Sequence, residues 1–386
     1  MGLAPIPVSI LKKLRSITFA FLWGSIGSSR RFHLACWSDL SWPKRSDGWG
    51  IKNFLWFSIS LHLKTFWGVL FCDSLWHRVL MAKYLKKVSV IEWFRNKKFC
   101  TRGVSVFWRG FIQILPWLGR HLAWKIGNGR DVQVGVDPLI GNTHSYLLPE
   151  GLRSYLEDLD IISLAQAQNS LPDAHCYWYS ADELLLDGEW KTAWNSYTRA
   201  LELNGIRLTE ALDILMWDYN KKDGMVSANS AYDCLVNLYR PVMSNHVSLS
   251  LWNNSLPRKI GCFIWLVQKN RILTWDNLQK RGKHGPGICV LCLNNEETVL
   301  HLFTRCPIWI SIRGLISDLL QIYFPPVENS IVVFLDTWAS IYSGDPALRF
   351  IPHHIFWAIW KTRNMAIFDG INVTVLGIYH QILYAV

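Results

Sequence analysis

The hydrophobic positions of the chain recur mainly at the three- and four-residue intervals that place side chains on one face of a helix. Between residues 1 and 23, Ile10, Leu14 and Ile17 fall on one stripe, and the basic residues of this segment lie away from it. This spacing predicts a helix that ends near Gly24. The same spacing predicts further helices within residues 53–99, 145–217, 258–283 and 350–368.

One segment interrupts the helical spacing. Residues 124–134 contain two short apolar runs that flank Gly127-Asn128-Gly129. A turn of glycine and asparagine between two such runs predicts a β-hairpin. The predicted fold class is therefore mainly α, or α+β with one small β-hairpin region, built from helical modules.

Three cysteines and a histidine lie close together in the last third of the chain. Cys289 and Cys292 are followed by His301 and Cys306, with the spacing C-x2-C-x8-H-x4-C. Three thiols and one imidazole match the ligand number and chemistry of tetrahedral Zn²⁺. Because four protein ligands leave no coordination position open for water, the motif predicts a structural ion in a small zinc-stabilised helical domain.

The residues around this motif predict how its second half folds. The run from Asn294 to Glu297 offers caps and first-turn carboxylates for a short helix that continues through Phe303. Pro307 follows Cys306 directly, which predicts a new helix with proline at its first position. The alternative is that the thiols and the imidazole are packed core residues that bind no metal.

Cysteine usage and hydropathy bear on the compartment of the protein. The chain has 9 cysteines, and those outside the motif show no framework spacing. This indicates a reducing, intracellular location, nuclear or cytoplasmic. Lys64, Asp73 and Arg78 interrupt the most apolar part of the first hundred residues. We therefore expect no membrane-spanning segment and no membrane partner.

The charge of the chain is unevenly distributed. The net charge is +11, but residues 1–130 hold 21 basic against 4 acidic residues, and residues 131–250 hold 7 against 17. Residues 251–313, around the cysteine motif, are basic again, with 9 against 3. Two basic regions flanking an acidic one indicate binding of a polyanion. The alternative is a charged surface that only keeps the protein in solution.

The candidate nucleic-acid contacts are the cations of the two basic regions. Around the motif they are Arg258, Lys259, Lys269, Arg271, Lys280, Arg281 and Lys283. Near the N-terminus they are Arg30, Arg31, Lys44 and Arg45, in a segment that also contains Trp37 and Trp42. Aromatic residues interleaved with cations can stack bases while the cations hold phosphates. Simple packing with a solvated rim explains the same N-terminal pattern equally well.

Several separated segments carry a resemblance to one family. They are Pro257-Arg258-Lys259-Ile260, Phe263-Ile264-Trp265, Asn270-Arg271-Ile272-Leu273-Thr274, Cys289 with Cys292, His301-Leu302-Phe303 and Cys306-Pro307. Together they resemble the zinc-binding domain downstream of the reverse transcriptase in plant non-LTR (LINE-type) retrotransposons. Phe21-Leu22-Trp23-Gly24 is similar to the segment after the polymerase palm, and residues 355–368 resemble the linker that usually precedes an RNase H domain.

The resemblance implies a layout in four parts. Residues 1–118 would be a basic helical region after the palm, residues 119–222 a hairpin with an acidic helical connector, residues 223–315 the zinc-binding domain, and residues 316–386 a helical linker before an absent RNase H domain. It also implies that Cys289, Cys292, His301 and Cys306 are the zinc ligands.

The sequence gives no sign of the catalytic centres of such elements. A polymerase palm uses paired aspartates to hold two Mg²⁺ ions, and no Asp-Asp dipeptide occurs in the chain. We therefore expect that the chain is not an enzyme and that any reverse transcriptase activity would need other chains.

The leading hypothesis is a zinc-binding, nucleic-acid-binding fragment of a retrotransposon reverse transcriptase polyprotein. Its expected partners are RNA or DNA backbones and other retroelement proteins. The alternative is a structural or protein-interaction module, or a retroelement relic without function.

Overall fold

Helices make up most of the regular structure in the part of the chain that the computed structural model describes. That part comprises residues 6–24, 32–86, 88–95, 103–119, 121–139, 146–169, 177–220, 222–239, 249–252, 256–326, 329–372 and 374–384. The predicted fold class, mainly α with a small amount of β-structure, is confirmed. Two of the candidate cations, Arg30 and Arg31, lie outside the described residues.

The chain forms two units, one of Met1–Leu11 with Phe54–Tyr239 and one of Lys12–Asn53 with Arg240–Val386. The boundary at Leu11 falls within α1 (Val8–Leu22), which ends where the sequence predicts. The first unit contains α3 (Phe54–Phe71), α4 (Leu75–Leu80), a π-turn (Met81–Leu85), α5 (Val90–Arg95), α6 (Val106–Gly119), β1 (Leu122–Lys125), α7 (Glu150–Asp158), β2 (Gln168–Asn169), β3 (Tyr177–Trp178), α8 (Gly188–Leu203), β4 (Ile214–Trp217) and α9 (Ala228–Tyr239).

The second unit contains α2 (Trp37–Leu40), two 3₁₀ turns (Lys44–Ser46 and Leu249–Trp252), α10 (Arg258–Gln268), α11 (Trp275–Gln279), a π-turn (His301–Arg305), α12 (Pro307–Leu320), α13 (Ile331–Ile341), α14 (Pro346–Arg349), α15 (Ile351–Phe368) and α16 (Val375–Leu383). The four-part layout of the sequence analysis stays a prediction.

The described strands form two short antiparallel pairs. β1 pairs with β4, with Leu122 opposite Trp217, and β2 pairs with β3. The predicted hairpin within residues 124–134 is therefore wrong, because the partner of β1 comes from a distant part of the chain. The same pairing makes residues 214–217 a strand, where the sequence pattern predicts the end of a helix.

A buried carboxylate explains why the Gly-Asn-Gly turn does not close a hairpin. Asp213 directly precedes β4 and is 9% exposed. Its carboxylate accepts hydrogen bonds from the backbone N–H groups of Gly127 at 2.6 Å, Gly129 at 2.9 Å and Asp131 at 3.0 Å. Three bonds to one anion bind the turn to the segment before β4 and bring β1 beside that strand.

α3 packs inside the first unit against α6 and α9. The ring of Phe66 lies 4.0 Å from that of Phe111, and Trp56 stacks on Tyr239 at 5.6 Å. Among the described helices, α3 alone is long and apolar enough to cross a membrane by length and composition, and 44% of it is buried. A core helix of a folded unit passes the same test, so the expectation of no membrane partner stays a prediction.

The core of the second unit is centred on α10 and α15. Phe263 of α10 meets Phe303 at 6.1 Å and Trp357 of α15 at 5.1 Å, both edge to face. Trp309 of α12 packs on Phe356 of α15 at 5.1 Å. These large buried rings form direct contacts between the helices. The apolar stripe predicted for residues 258–283 is thus the buried face of α10.

The N-terminal basic and aromatic segment is packed onto this core. Trp265 of α10 donates from Nε1 to the backbone oxygen of Asp47 at 3.0 Å and to its carboxylate at 2.9 Å. Trp49 lies 5.8 Å from Trp265, and Trp37 is only 5% exposed. A side chain at Gly48 would collide with the backbone oxygen of Trp42, 2.0 Å from a Cβ there. The packing alternative therefore holds for Trp37 and Trp49.

Candidate metal centre

The loop that carries the first two cysteines is folded by its own backbone hydrogen bonds. The N–H of Cys289 donates to the oxygen of Asn295, and the N–H of Leu293 donates to the oxygen of Cys289, both at 2.8 Å. Leu293 has a left-handed φ of 54°, which reverses the chain direction within a few residues. The closed loop brings the side chains of Cys289 and Cys292 to one point.

A widened helical turn carries the other two residues of the motif. The Oγ1 of Thr298 accepts from the N–H of His301 at 3.0 Å, so Thr298 caps this helix, and residues 294–297 do not. The N–H of Cys306 then donates to the oxygen of His301 at 2.7 Å, a bond that spans five residues. In an α-helix two residues five apart point about 140° from each other. The wider π-turn brings the imidazole and the thiol back to one side.

The predicted helix after the motif is confirmed. α12 begins at Pro307, directly after Cys306, and the proline occupies its first turn. The N–H of Ile310 donates to the oxygen of Cys306 at 3.0 Å, so this cysteine also starts the hydrogen bonding of α12. The position of Cys306 is thus fixed from both sides.

The four predicted ligands converge on one point. Their donor atoms all lie within 4.8 Å of one another, and the Sγ of Cys292 is 3.3 Å from the Nε2 of His301. An ion bonded to sulfur at about 2.3 Å would hold tetrahedral sulfurs about 3.8 Å apart, so the cluster has the size of a zinc cage. Cys289 and Cys306 are fully buried and His301 is 6% exposed. Residues and geometry together fit a structural metal site.

A hydrogen bond between two of the thiols moves their pKa values in opposite directions. The hydrogen bond to Cys306 raises the pKa of Cys289 to about 12, and burial adds to this rise. The same bond lowers the pKa of Cys306, although burial of Cys306 acts in the opposite direction. A divalent cation would favour the thiolate form of both, because thiolates are its ligands.

A buried ion pair lies at the end of the loop that carries Cys289 and Cys292. Glu297 and Arg363 have side chains that are 0% and 3% exposed, and their two bonds measure 3.1 Å and 2.5 Å. Glu297 also accepts from the N–H of Trp275 at 3.0 Å, and Arg363 donates to the oxygen of Leu273 at 3.2 Å. The pair thus connects the end of the loop, the start of α11 and the middle of α15.

The sequence reasoning missed this pair. The sequence pattern predicts Glu297 as a first-turn carboxylate of the following helix, and Arg363 lies within residues 355–368, whose resemblance is to a linker. The two residues are 66 positions apart, and no local pattern connects them. The local sequence offers no signal for it either, because Arg363 stands in the polar run Lys361-Thr362-Arg363-Asn364 of α15.

Three of the candidate cations around the motif are neutralised by carboxylates. Lys269 pairs with Asp47, Arg271 with Asp39 at 3.3 Å, and Lys280 with Asp276 at 3.0 Å. These side chains still carry donors at the surface, but their net charge is offset. They are therefore weaker candidates for phosphate contacts than the sequence predicts.

The other four cations around the motif have no carboxylate partner among the described residues. Arg258 and Lys259 are exposed at the start of α10, and Lys259 lies 6.0 Å from the ring of Trp357. Arg281 and Lys283 lie after α11, over the ring of Phe32 at 5.5 Å and 5.9 Å. Partial burial, and then the nearby charge of Arg271, lower the pKa of Arg281.

The described N-terminal candidates lie in the same unit. Lys44 is half-buried, with its ammonium 5.3 Å from the ring of Trp252, and Arg45 is exposed. Burial raises the pKa of Cys262 to about 11, while the charges of Lys44 and Arg258 act against that rise. The second unit thus carries the metal cluster and every described candidate cation.

Comparison with protein families places the cluster in a known kind of domain. Residues 227–312 match the family described as zinc-binding in reverse transcriptase, and all four cluster residues fall inside the match. This stretch is similar to the zinc-binding domain of retroelement polymerases, so the chain is related to retroelement proteins.

One curated relative is similar over most of the chain. It is an Arabidopsis thaliana protein named "Putative ribonuclease H protein", and it is 26% identical over 324 residues. The match covers 80% of this chain and 48% of the relative, so the chain spans about half the length of that protein.

Proposed function

We propose that Cys289, Cys292, His301 and Cys306 hold one structural Zn²⁺ and that the zinc-stabilised unit binds nucleic acid. The observation that carries the proposal is the convergence of the four donor atoms within 4.8 Å, inside the segment that matches the zinc-binding family. A closed cage of four protein ligands contributes folding free energy and leaves no position for a reacting water.

The nucleic-acid part of the proposal rests on charge. Arg258, Lys259, Arg281 and Lys283 have no carboxylate partner among the described residues, and two of them lie beside an exposed aromatic ring. Cations that contact phosphates release counterions, which makes binding depend on salt. Because the phosphate backbone is the same for every sequence, such contacts carry little sequence preference. RNA or DNA backbones are the proposed partners.

The finer assignment follows the resemblance. We infer that the chain derives from a plant LINE-type element and that it supports a polymerase supplied by other retroelement proteins. It would act inside the cell, in the nucleus or cytoplasm. The proposal gives the chain no catalytic step of its own, and the lack of an Asp-Asp dipeptide supports this.

The zinc assignment is tested by metal analysis of the purified protein. We expect a single zinc per chain, and we expect Cys289→Ser with Cys306→Ser to lose both the zinc and part of the helical circular dichroism. A folded wild-type protein without zinc would mean that the thiols are ordinary core residues.

The nucleic-acid assignment is tested by the salt dependence of binding to a labelled oligonucleotide. Affinity should fall steeply with salt, and Arg258→Gln and Lys259→Gln should each lower the slope of log K against log salt by about 1. Lys191→Gln is the matched control, because Lys191 is an exposed cation of the first unit that pairs with Asp182. Binding that is insensitive to salt would favour the alternative, a protein-interaction module.

A further inference from the structure

An apolar pocket lies between α11 and the last turns of α15. Its cavity volume is ≈ 420 Å³, and its lining includes the rings of Trp275, Trp360 and Phe368. Phe368 is 77% exposed, so the pocket opens to solvent at this residue. The ring of Trp275 is held against Gly285, where a Cβ would come within 2.0 Å of it. Ligand pockets of this kind combine apolar walls with a few placed polar groups.

The floor of the pocket is electrically neutral although it contains an arginine. The guanidinium of Arg363 is satisfied by Glu297 and by the backbone oxygen of Leu273. A further N–H of Arg363 donates to the Oδ1 of Asn364 at 3.0 Å. Because arginine has no acceptor, the atom that faces it must be the amide oxygen, and Asn364 keeps its N–H donors for a pocket ligand. The floor thus suits a neutral planar group with acceptors on its edge.

The rim of the pocket is positively charged. Phe32 and Lys283 both line the pocket. The ammonium of Lys283 and the guanidinium of Arg281 both lie over the ring of Phe32. Neither cation has a carboxylate partner among the described residues. An anion attached to the planar group would therefore meet these two side chains.

We propose that this pocket takes one unpaired base of a single-stranded nucleic acid, stacked on its aromatic walls, with Lys283 and Arg281 on the adjoining phosphates. The proposal rests on the nucleic-acid binding proposed above and names the form of the ligand. A base is a neutral planar ring with edge acceptors, linked to an anion, which is the combination that floor and rim require. A paired base inside a duplex cannot enter a pocket, so single strands are selected.

The test compares two fluorescent oligonucleotides of about ten nucleotides, a length within the usual site sizes for single strands. One is oligothymidine, and the other has the same phosphates but abasic sugars. Stacking of one base is worth about 1–3 kcal/mol, and 1.4 kcal/mol is tenfold in affinity, so Phe368→Ala should weaken oligothymidine binding about fivefold or more. Binding of the abasic strand should not change.

Two further variants separate stacking from charge and from general damage. Lys283→Gln should weaken both oligonucleotides, by about two- to threefold, and should lower the salt slope by about 1. Tyr384→Ala, which removes an aromatic ring that is 93% exposed elsewhere in the same unit, should change neither affinity. Because Phe368 is exposed at the end of α15, its replacement should leave thermal unfolding unchanged.

Each outcome decides one proposal. If Phe368→Ala leaves oligothymidine binding unchanged, or weakens both strands equally, the base pocket is overturned and nucleic-acid binding stands. If the wild-type protein binds neither strand at low salt, the proposed function itself is overturned, and the pocket inference with it.

Discussion

Glu297 and Arg363 form an ion pair that is shielded from water, with two hydrogen bonds between the carboxylate and the guanidinium. Glu297 ends the loop that carries Cys289 and Cys292, and Arg363 lies in α15. Each partner also bonds backbone around α11. The second unit therefore has a buried ion pair that connects three segments of its core.

Replacing only one partner of this ion pair should lower the free energy of unfolding. Arg363→Met leaves a buried carboxylate without its charge partner, and we expect the free energy of unfolding to fall by about 3–5 kcal/mol. Glu297→Leu should cost a similar amount, while the double variant should be markedly more stable than the sum of the two predicts. Urea unfolding of the wild-type protein, the two single variants and the double variant measures these free energies. An additive double variant would show that the two side chains do not act as a pair.

Removal of the metal should unfold the second unit selectively. A chelator, or Cys292→Ser, should lower its melting temperature, because metal binding contributes directly to the folding of such domains. Cys72→Ser is the matched control, since Cys72 is exposed and belongs to the first unit. Differential scanning calorimetry with and without added zinc measures the change. Equal sensitivity of Cys72→Ser would argue against a role for the cluster.

Acid should destabilise the protein through His353. Burial, followed by the charges of His354 and Arg349, lowers the pKa of His353 to about 3, and neither ring nitrogen has a hydrogen-bond partner among the described residues. Between this value and the unfolded pKa of about 6.5, only the unfolded chain takes up the proton, so stability falls as the pH falls. In this range His353 lowers the free energy of unfolding by about 1.4 kcal/mol for each unit by which the pH falls.

Variants isolate this effect. His353→Leu should remove that part of the pH dependence and should be neutral or stabilising at pH 7, because it removes two unpaired buried polar atoms. His380→Leu is the control, since His380 is an exposed histidine of α16. Urea unfolding at pH 5 and pH 7 measures both. An unchanged slope in His353→Leu would contradict the assignment.

Asp213 should be a main determinant of the strand pairing in the first unit. Asp213→Ala removes the acceptor of three backbone N–H groups, and charge-assisted bonds of this kind are worth about 1.5–3 kcal/mol each when lost. We expect a loss of at least about 3 kcal/mol in unfolding free energy. Asp182→Ala, at an exposed ion pair with Lys191, should cost less than about 1 kcal/mol. Similar losses in both variants would contradict the role of Asp213.

Local patterns predicted the parts of the structure that depend on local interactions. The stripes that predict α1, α10 and α15 recur within a few residues, and the four ligands of the metal cluster lie within one short segment. Pro307 likewise marks the start of α12 because its effect on the backbone is local.

Interactions between distant segments could not be predicted from local sequence patterns. The pairing of β1 with β4 depends on Asp213, which is more than eighty positions from the glycines it binds. Nothing in residues 124–134 reveals this competitor, so the hairpin prediction was wrong. Glu297 and Arg363 present the same difficulty, because each alone resembles an ordinary surface charge.

The π-turn between His301 and Cys306 makes the length of this segment a requirement in its own right. An insertion of one residue there would leave both ligands in the sequence but would place them six residues apart. Residues six apart in an α-helix point about 120° from each other, and the π-turn, which matches a spacing of five, would not bring them back to one side. A chain that keeps all four ligands can therefore still lose the cage through one inserted residue.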